Sequence, residues 1–134
     1  MTADARCRLL TILLRLAGVV TASAFLTILL PVDWMAATHR ALGLGQFPRA
    51  PVVDYLARSI AALYGFHGVL LLVISTDPAK YRAIVRYVAV MNVVFGAILF
   101  AIDRHAGMPI WWTLGEGPPI AVFGAVIAML NRQS

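Results

Sequence analysis

The chain has 134 residues, of which 61% are hydrophobic and 13% charged, with a formal net charge of +5 and one cysteine. Its mean hydropathy is +0.85, whereas an average soluble domain is about 45–50% apolar and about 25% charged. A chain this small buries only about two-thirds of its surface on folding in water, so the composition excludes an ordinary soluble enzyme, a disordered tail and a disulfide-rich secreted mini-protein, and lipid is the expected solvent.

The four longest stretches without Asp, Glu, Lys or Arg are Leu16–Val32, Ser59–Thr76, Tyr87–Ile102 and Gly117–Asn131. A membrane helix needs roughly 17–25 mostly apolar residues, because each adds about 1.5 Å across a core of about 30 Å. Long basic side chains extend such runs by reaching the headgroups, so Arg15, Arg58 and Arg86 belong to helix ends. The expected fold is all-α: a single-domain membrane bundle of four helices at about 9–30, 55–75, 78–105 and 118–131, with a short interfacial helix at about 33–42.

In chain order, the first helix has an alternative as a signal peptide. Arg6 and Arg8 give a basic start, and Ala22-Ser23-Ala24 fits a small-residue cleavage site. Arg15 interrupts that pattern and the apolar run continues to Leu30, which favours a retained helix. Next, Asp33 can cap the interfacial helix, Gly43 sits where it stops, and Trp34 is its membrane anchor. Pro48 and Pro51 break the chain, and Asp54 can cap the second helix.

Thr76-Asp77-Pro78 is a helix start signal, which places the beginning of the third helix at Pro78. So short a connection makes the second and third helices antiparallel neighbours. Gly107 and Pro109 stop the third helix, and Trp111 and Trp112 fit the aromatic belt. Gly115-Glu116-Gly117-Pro118-Pro119 argues against a straight helix there; an interfacial segment, Met108–Leu114, followed by a helix starting at the prolines is preferred over one kinked span.

Of the eleven Lys and Arg residues, seven (Arg6, Arg8, Arg15, Lys80, Arg82, Arg86, Arg132) fall on one side and four (Arg40, Arg49, Arg58, Arg104) on the other. The bias predicts both termini in the cytoplasm. The charge is read as topology and attraction to anionic lipid. Nucleic-acid binding would need a clustered basic face with a recognisable motif, and none is present.

Two levels hold the remaining polar groups. His67 and Asn92 fall near the middle of the second and third helices and are expected to satisfy each other, with Tyr64 one turn from His67. This pair reads first as interhelical glue and second as a proton relay or ligand site. The outer rim carries His39, Arg58, Asp103, Arg104, His105 and Glu116, together with the anchors Trp34, Trp111 and Trp112. Asp103 is 11 residues beyond Asn92, about 20° past three full turns, so both share one helix stripe. Arg58 and Asp103 are expected to form an ion pair. His105 and Glu116 can make an acid–base pair, although the spacing matches no metal motif such as HExxH. No metal, cofactor or catalytic residue set is expected. Small residues at Gly18/Ala22, Ala61/Gly65/Gly68, Ala89/Gly96 and Gly124/Ala128 mark close helix approaches.

Three stretches, Trp34–Gly45, Tyr55–Gly68 and Ile102–Pro118 with its Gly107-Met108-Pro109-Ile110-Trp111-Trp112-Thr113-Leu114-Gly115-Glu116-Gly117-Pro118 run, resemble a family of small bacterial membrane proteins with four helices and uncharacterised activity. The layout is also similar to DoxX-like proteins, in architecture only. The resemblance implies a bacterial inner membrane location and draws notice to His39, Arg58, Tyr64, His67, Asp103, Trp112 and Glu116. The expected role is a structural or interaction module, partnered by the lipid bilayer and by copies of itself or a larger membrane complex. The alternatives are a small transporter or proton-coupled component using His67 and Asn92, and a membrane enzyme or redox subunit with an outer-face site.

Overall fold

The computed structural model describes residues 2–131; Arg132, counted above among the cytoplasmic charges, lies outside them. The described residues form helices α1 (Ala3–Ala22), α2 (Phe25–Leu29), α3 (Val32–Ala41), α4 (Pro51–Ile74), α5 (Arg82–Ala106), α6 (Ile110–Gly115) and α7 (Gly117–Asn131), with no strand among them. Four stretches are long and apolar enough to cross a membrane: Ala3–Leu29, Pro51–Ile74, Arg82–Ala106 and Ile110–Asn131. The class is therefore all-α, as in a multi-pass membrane protein. The chain divides into two compact units, residues 15–73 and residues 2–14 together with 74–131.

Helix α1 starts at Ala3 rather than near residue 9, and within the unit 15–73 it breaks at Ser23-Ala24. Hydroxyls cause the break. Thr21 donates to Ala17 O and Ser23 donates to Val20 O at 2.6 Å, and such back-bonding competes with the helix ladder. Leu30, with ψ 134°, then takes the extended conformation that a following proline demands. At α3, Asp33 is not the cap expected of it. Pro31 holds the cap position, and Asp33 sits in the first turn and pairs with Arg49 at 2.7 Å. Gly43 does end the helix: its φ is +69°, and its N–H donates to Arg40 O at 2.9 Å while Leu44 N–H donates to His39 O at 3.1 Å. That double bond is the αL stop that glycine makes without a Cβ penalty. Pro51 opens α4 four residues before the expected start, because proline loses nothing in the first turn.

The small residues of this unit meet backbone to backbone. A β-carbon added at Gly68 would lie 2.7 Å from Ala22 Cα and from Gly18 O. One added at Gly65 would strike the Phe25 ring at 2.6 Å, and that ring packs edge-to-face on Phe66 at 5.2 Å. Gly18, Ala22, Gly65 and Gly68 thus serve as the close-approach surface their spacing implies.

In the other unit, the Asp77-Pro78 signal makes one turn only. Asp77 Oδ1 accepts the Lys80 N–H at 3.0 Å and Asp77 O accepts the Tyr81 N–H at 3.1 Å. Tyr81, at φ −95° and ψ 21°, leaves helical geometry, so α5 begins at Arg82 rather than at Pro78. Along α5, Val85, Val88, Ala89, Asn92, Gly96 and Asp103 are buried on one stripe, the 3.6-residue period that places Asn92 and Asp103 together. Against it packs α7, through Gly117 and Gly124. A β-carbon at Gly117 would lie 2.5 Å from Gly96 O, and one at Gly124 would lie 2.5 Å from Ala89 O. Asn131 ties the far ends together, donating from Nδ2 to Arg82 O at 3.1 Å. Gly107, with φ +69°, ends α5. The last span is in two pieces, α6 and α7, parted at Glu116, as the glycines and prolines there imply.

Candidate functional site

The densest polar arrangement lies where α5, α6 and α7 meet. Asp103 sits in the last turn of α5, on the buried stripe, and is 6% exposed. Gly107 turns the chain at once, and Met108 N–H donates to Asp103 O at 3.0 Å, which holds the turn against the helix end. Pro109 takes the cap position of α6. Thr113, fully buried, donates its hydroxyl to Pro109 O at 3.3 Å, and the Trp112 indole N–H donates to Glu116 Oε2 at 2.7 Å.

Local sequence therefore aims two carboxyl groups at one place. The periodicity of α5 turns Asp103 inward, while Glu116 caps the end of α6, its N–H donating to Trp112 O at 2.9 Å and its side chain held by the Trp112 indole. Glu116 has a donor. Asp103 Oδ2 is buried and has no hydrogen-bond partner among the described residues. A buried acceptor without a donor costs about 1–3 kcal/mol, so this oxygen is an exception that calls for a cause.

The other rim residues behave differently. Arg104 and His105 are exposed on the same last turn, so His105 does not join Asp103 in the interior, and Glu116 takes Trp112 rather than an imidazole as its partner. Trp111 stacks edge-on against Trp112 at 5.6 Å. His39 donates from Nδ1 to Gly45 O at 3.2 Å and packs its ring on Phe47 at 5.6 Å; it braces the loop after α3. Trp34 is 65% exposed.

Arg58, expected to pair with Asp103, is instead committed within its own unit. Its Nε donates to Asp54 at 2.9 Å, one turn earlier in α4. Its two terminal nitrogens donate to Ile28 O and Leu30 O. The reason is the end of α2, whose last carbonyls have no helical donor; the planar, five-donor guanidinium serves both them and a carboxylate. The signal was present in the sequence as an apolar helix ending before Pro31, with an arginine later in the chain to supply donors.

The midplane pair also resolves locally on one side. Asn92, 9% exposed, donates its amide to Val88 O at 2.8 Å within α5. His67 is half-buried on α4, one turn from the half-buried Tyr64. Among the described residues no group of three or more His, Cys, Asp and Glu is placed to hold a metal ion.

Fold and site together define a helical class of protein with four helices long and apolar enough to cross a membrane, in which Asp103, Trp112, Thr113 and Glu116 lie together at one helix junction. Comparison with known protein families, with curated proteins and with solved structures finds no match.

Proposed function

We propose that the chain is a small multi-pass protein of the bacterial inner membrane, with both termini in the cytoplasm, that works as a structural or interaction module by assembling with itself or with a larger membrane complex. The observation that supports this reading is how its apolar surface is divided. Small residues are used up in the contacts of α1 with α4 and of α5 with α7, and the bulky residues are left facing outward. On α4 alone, Tyr55, Leu63 and Phe66 are 66–69% exposed. Lipid solvates such a ridge, and a neighbouring helix can pack on it by van der Waals contact. The test is energy transfer between labelled copies in liposomes as lipid is added. The reading expects transfer to persist on dilution and to fall in a Leu63→Ala/Phe66→Ala variant. Transfer that decays to the random-collision value, with no stoichiometric partner retained on purification from native membrane, overturns it.

A second reading has one specific observation in its favour: the orphaned Asp103 Oδ2. A membrane enzyme or redox subunit with its chemistry at Asp103 and Glu116 keeps such a group at a cost in stability, and function is a common reason for that trade. On this reading Asp103→Leu raises detergent stability by about 1 kcal/mol, because an unmet acceptor is replaced by an apolar group of similar size. A loss of more than about 2 kcal/mol in chemical denaturation means that the carboxyl is structurally paired, and the reading then loses its support.

A further inference from the structure

A groove of about 770 Å³ opens between the start of α5 and the end of α7. Lys80, Arg82 and Arg86 line it together with Val90, Ala128 and Asn131. Its volume falls within the roughly 300–1,000 Å³ usual for ligand sites, and its walls are sorted by polarity. Arg82, Arg86 and Val90 succeed one another at four-residue intervals, so they form a single stripe along α5. The stripe begins with two cations and runs into an apolar residue, with Ala128 of α7 on the apolar side.

The depth of this stripe follows from the sequence. The charge-free run of α5 is Tyr87–Ile102, so Arg86 stands at its border and Arg82 one turn outside, at the level of lipid phosphates. Val90 lies one turn inside. An occupant that fits this order has an anionic head and a hydrocarbon tail.

The cations are also gathered rather than scattered. Like charges four residues apart on a helix repel by a few tenths of a kcal/mol, yet Arg82 and Arg86 share one groove with Lys80. Lys80 Nζ stands 5.5 Å from the centre of the Tyr81 ring, a cation–π contact that limits where it can swing. Asp77, the acid of the preceding turn, is turned toward backbone, accepting the Lys80 N–H. Among the described residues, neither Lys80 nor Arg86 has an ion-pair partner. Asn131 fixes the groove's width by bonding α7 to Arg82 O; the positive dipole end of α5 and the negative one of α7 meet here and oppose each other, so the field of the groove is that of its side-chain cations.

We propose that this groove binds the phosphodiester headgroup of an anionic membrane lipid, with Arg82, Arg86 and Lys80 around the phosphate and an acyl chain lying along Val90 and Ala128. The site lies apart from Asp103 and Glu116, and it stands whether or not the assembly reading above holds.

The test uses the full-length protein in non-ionic detergent and a fluorescent short-chain phosphatidylglycerol, with binding read as anisotropy. Wild type gives saturable binding that a phosphatidylcholine analogue does not displace. Arg86→Gln weakens it about fivefold and Arg82→Gln/Arg86→Gln about 25-fold, since each basic residue near an anionic headgroup is worth about 1 kcal/mol. Arg40→Gln, which removes the same charge from an exposed position outside the groove, leaves it unchanged. If the double variant does not fold, Arg86→Gln, at an exposed position, carries the test alone. Equal binding by wild type and Arg86→Gln overturns the site. So does an equal loss in Arg40→Gln, which would mean bulk charge. Displacement by inorganic phosphate at the concentration at which the lipid itself competes overturns the lipid as source and assigns the groove to a soluble phosphate.

Discussion

Replacing Gly124 with leucine will destabilise the protein by about 3 kcal/mol, at the upper end of what overpacking a well-filled contact costs. The contact has no slack. A β-carbon at Gly124 falls 2.5 Å from Ala89 O and 2.8 Å from Val93 N, and both are backbone atoms in the middle of α5, which cannot swing aside as a side chain can. A leucine there forces α7 away from α5 along its length, and the contacts at Gly96 and Gly117 loosen with it. The neighbouring Ala125 is exposed, so Ala125→Leu adds the same bulk to the lipid-facing side and changes stability by less than about 0.5 kcal/mol. Denaturant titration of both variants in micelles checks the pair. Equal effects at the two positions would mean that the α5–α7 seam is not the tight surface it is taken to be.

Arg58→Met is expected to lower stability by about 2 kcal/mol or more. Methionine keeps the apolar stem but removes every donor, which leaves Ile28 O and Leu30 O without the guanidinium that serves them. Hydrogen bonds to a charged donor contribute about 1.5–3 kcal/mol, and these carbonyls are only half-buried, so their loss sets the expected magnitude near the lower end. Arg58→Lys recovers little of this, because one ammonium on a flexible stem cannot reproduce a rigid fork that serves two carbonyls and a carboxylate. The Asp54 contact by itself is worth little: its carboxyl is 37% exposed, and pairs one turn apart on a helix contribute about 0.3–0.5 kcal/mol. Asp54→Asn should therefore be nearly silent in thermal unfolding in detergent, where Arg58→Met is not. If Asp54→Asn proves as damaging as Arg58→Met, the carbonyl-capping role is wrong.

The elements were readable wherever a single residue has one conformational use. Gly43 and Gly107 both lie at φ +69°, at the two helix ends their positions predict. The Glu116 break follows from the glycines and prolines around it. Charge-free run length placed the cores of the spans because lipid imposes one thickness on every helix, but the last span reaches back to Ile110 and takes in the segment expected to lie in the interface, since α6 continues the apolar run across Glu116. The errors share a cause. A place before an apolar run marks Asp33, Asp54 and Asp77 as cap candidates. Only Asp77 receives a backbone N–H, and the turn it makes does not carry on into α5. Proline at 31 and 51 took the other two helix starts, and the freed carboxylates turned to arginines, Arg49 and Arg58. At the site, periodicity was enough to put Asn92 and Asp103 on one buried stripe. It could not say that Asn92 would bond to Val88 O in its own helix, because a side-chain amide chooses between backbone and neighbour by local geometry. Nor could it reveal the basic groove, since Arg82 and Arg86 meet Ala128 and Asn131 only through the packing of α7 on α5.

The divided last span bears on how the protein responds to bilayer thickness. With 15 residues, α7 reaches only about 22 Å, short of a hydrocarbon core of about 30 Å, whereas α5 with 25 residues exceeds it. In a thicker or thinner membrane a continuous helix can adjust chiefly by tilting. The span from Ile110 to Asn131 has a joint at Glu116 and can change its reach by bending there while α7 stays seated on α5. Hydrophobic mismatch is then absorbed at the end of the protein that holds Asp103, and the length of the surrounding acyl chains becomes a variable that the geometry around that carboxyl will follow.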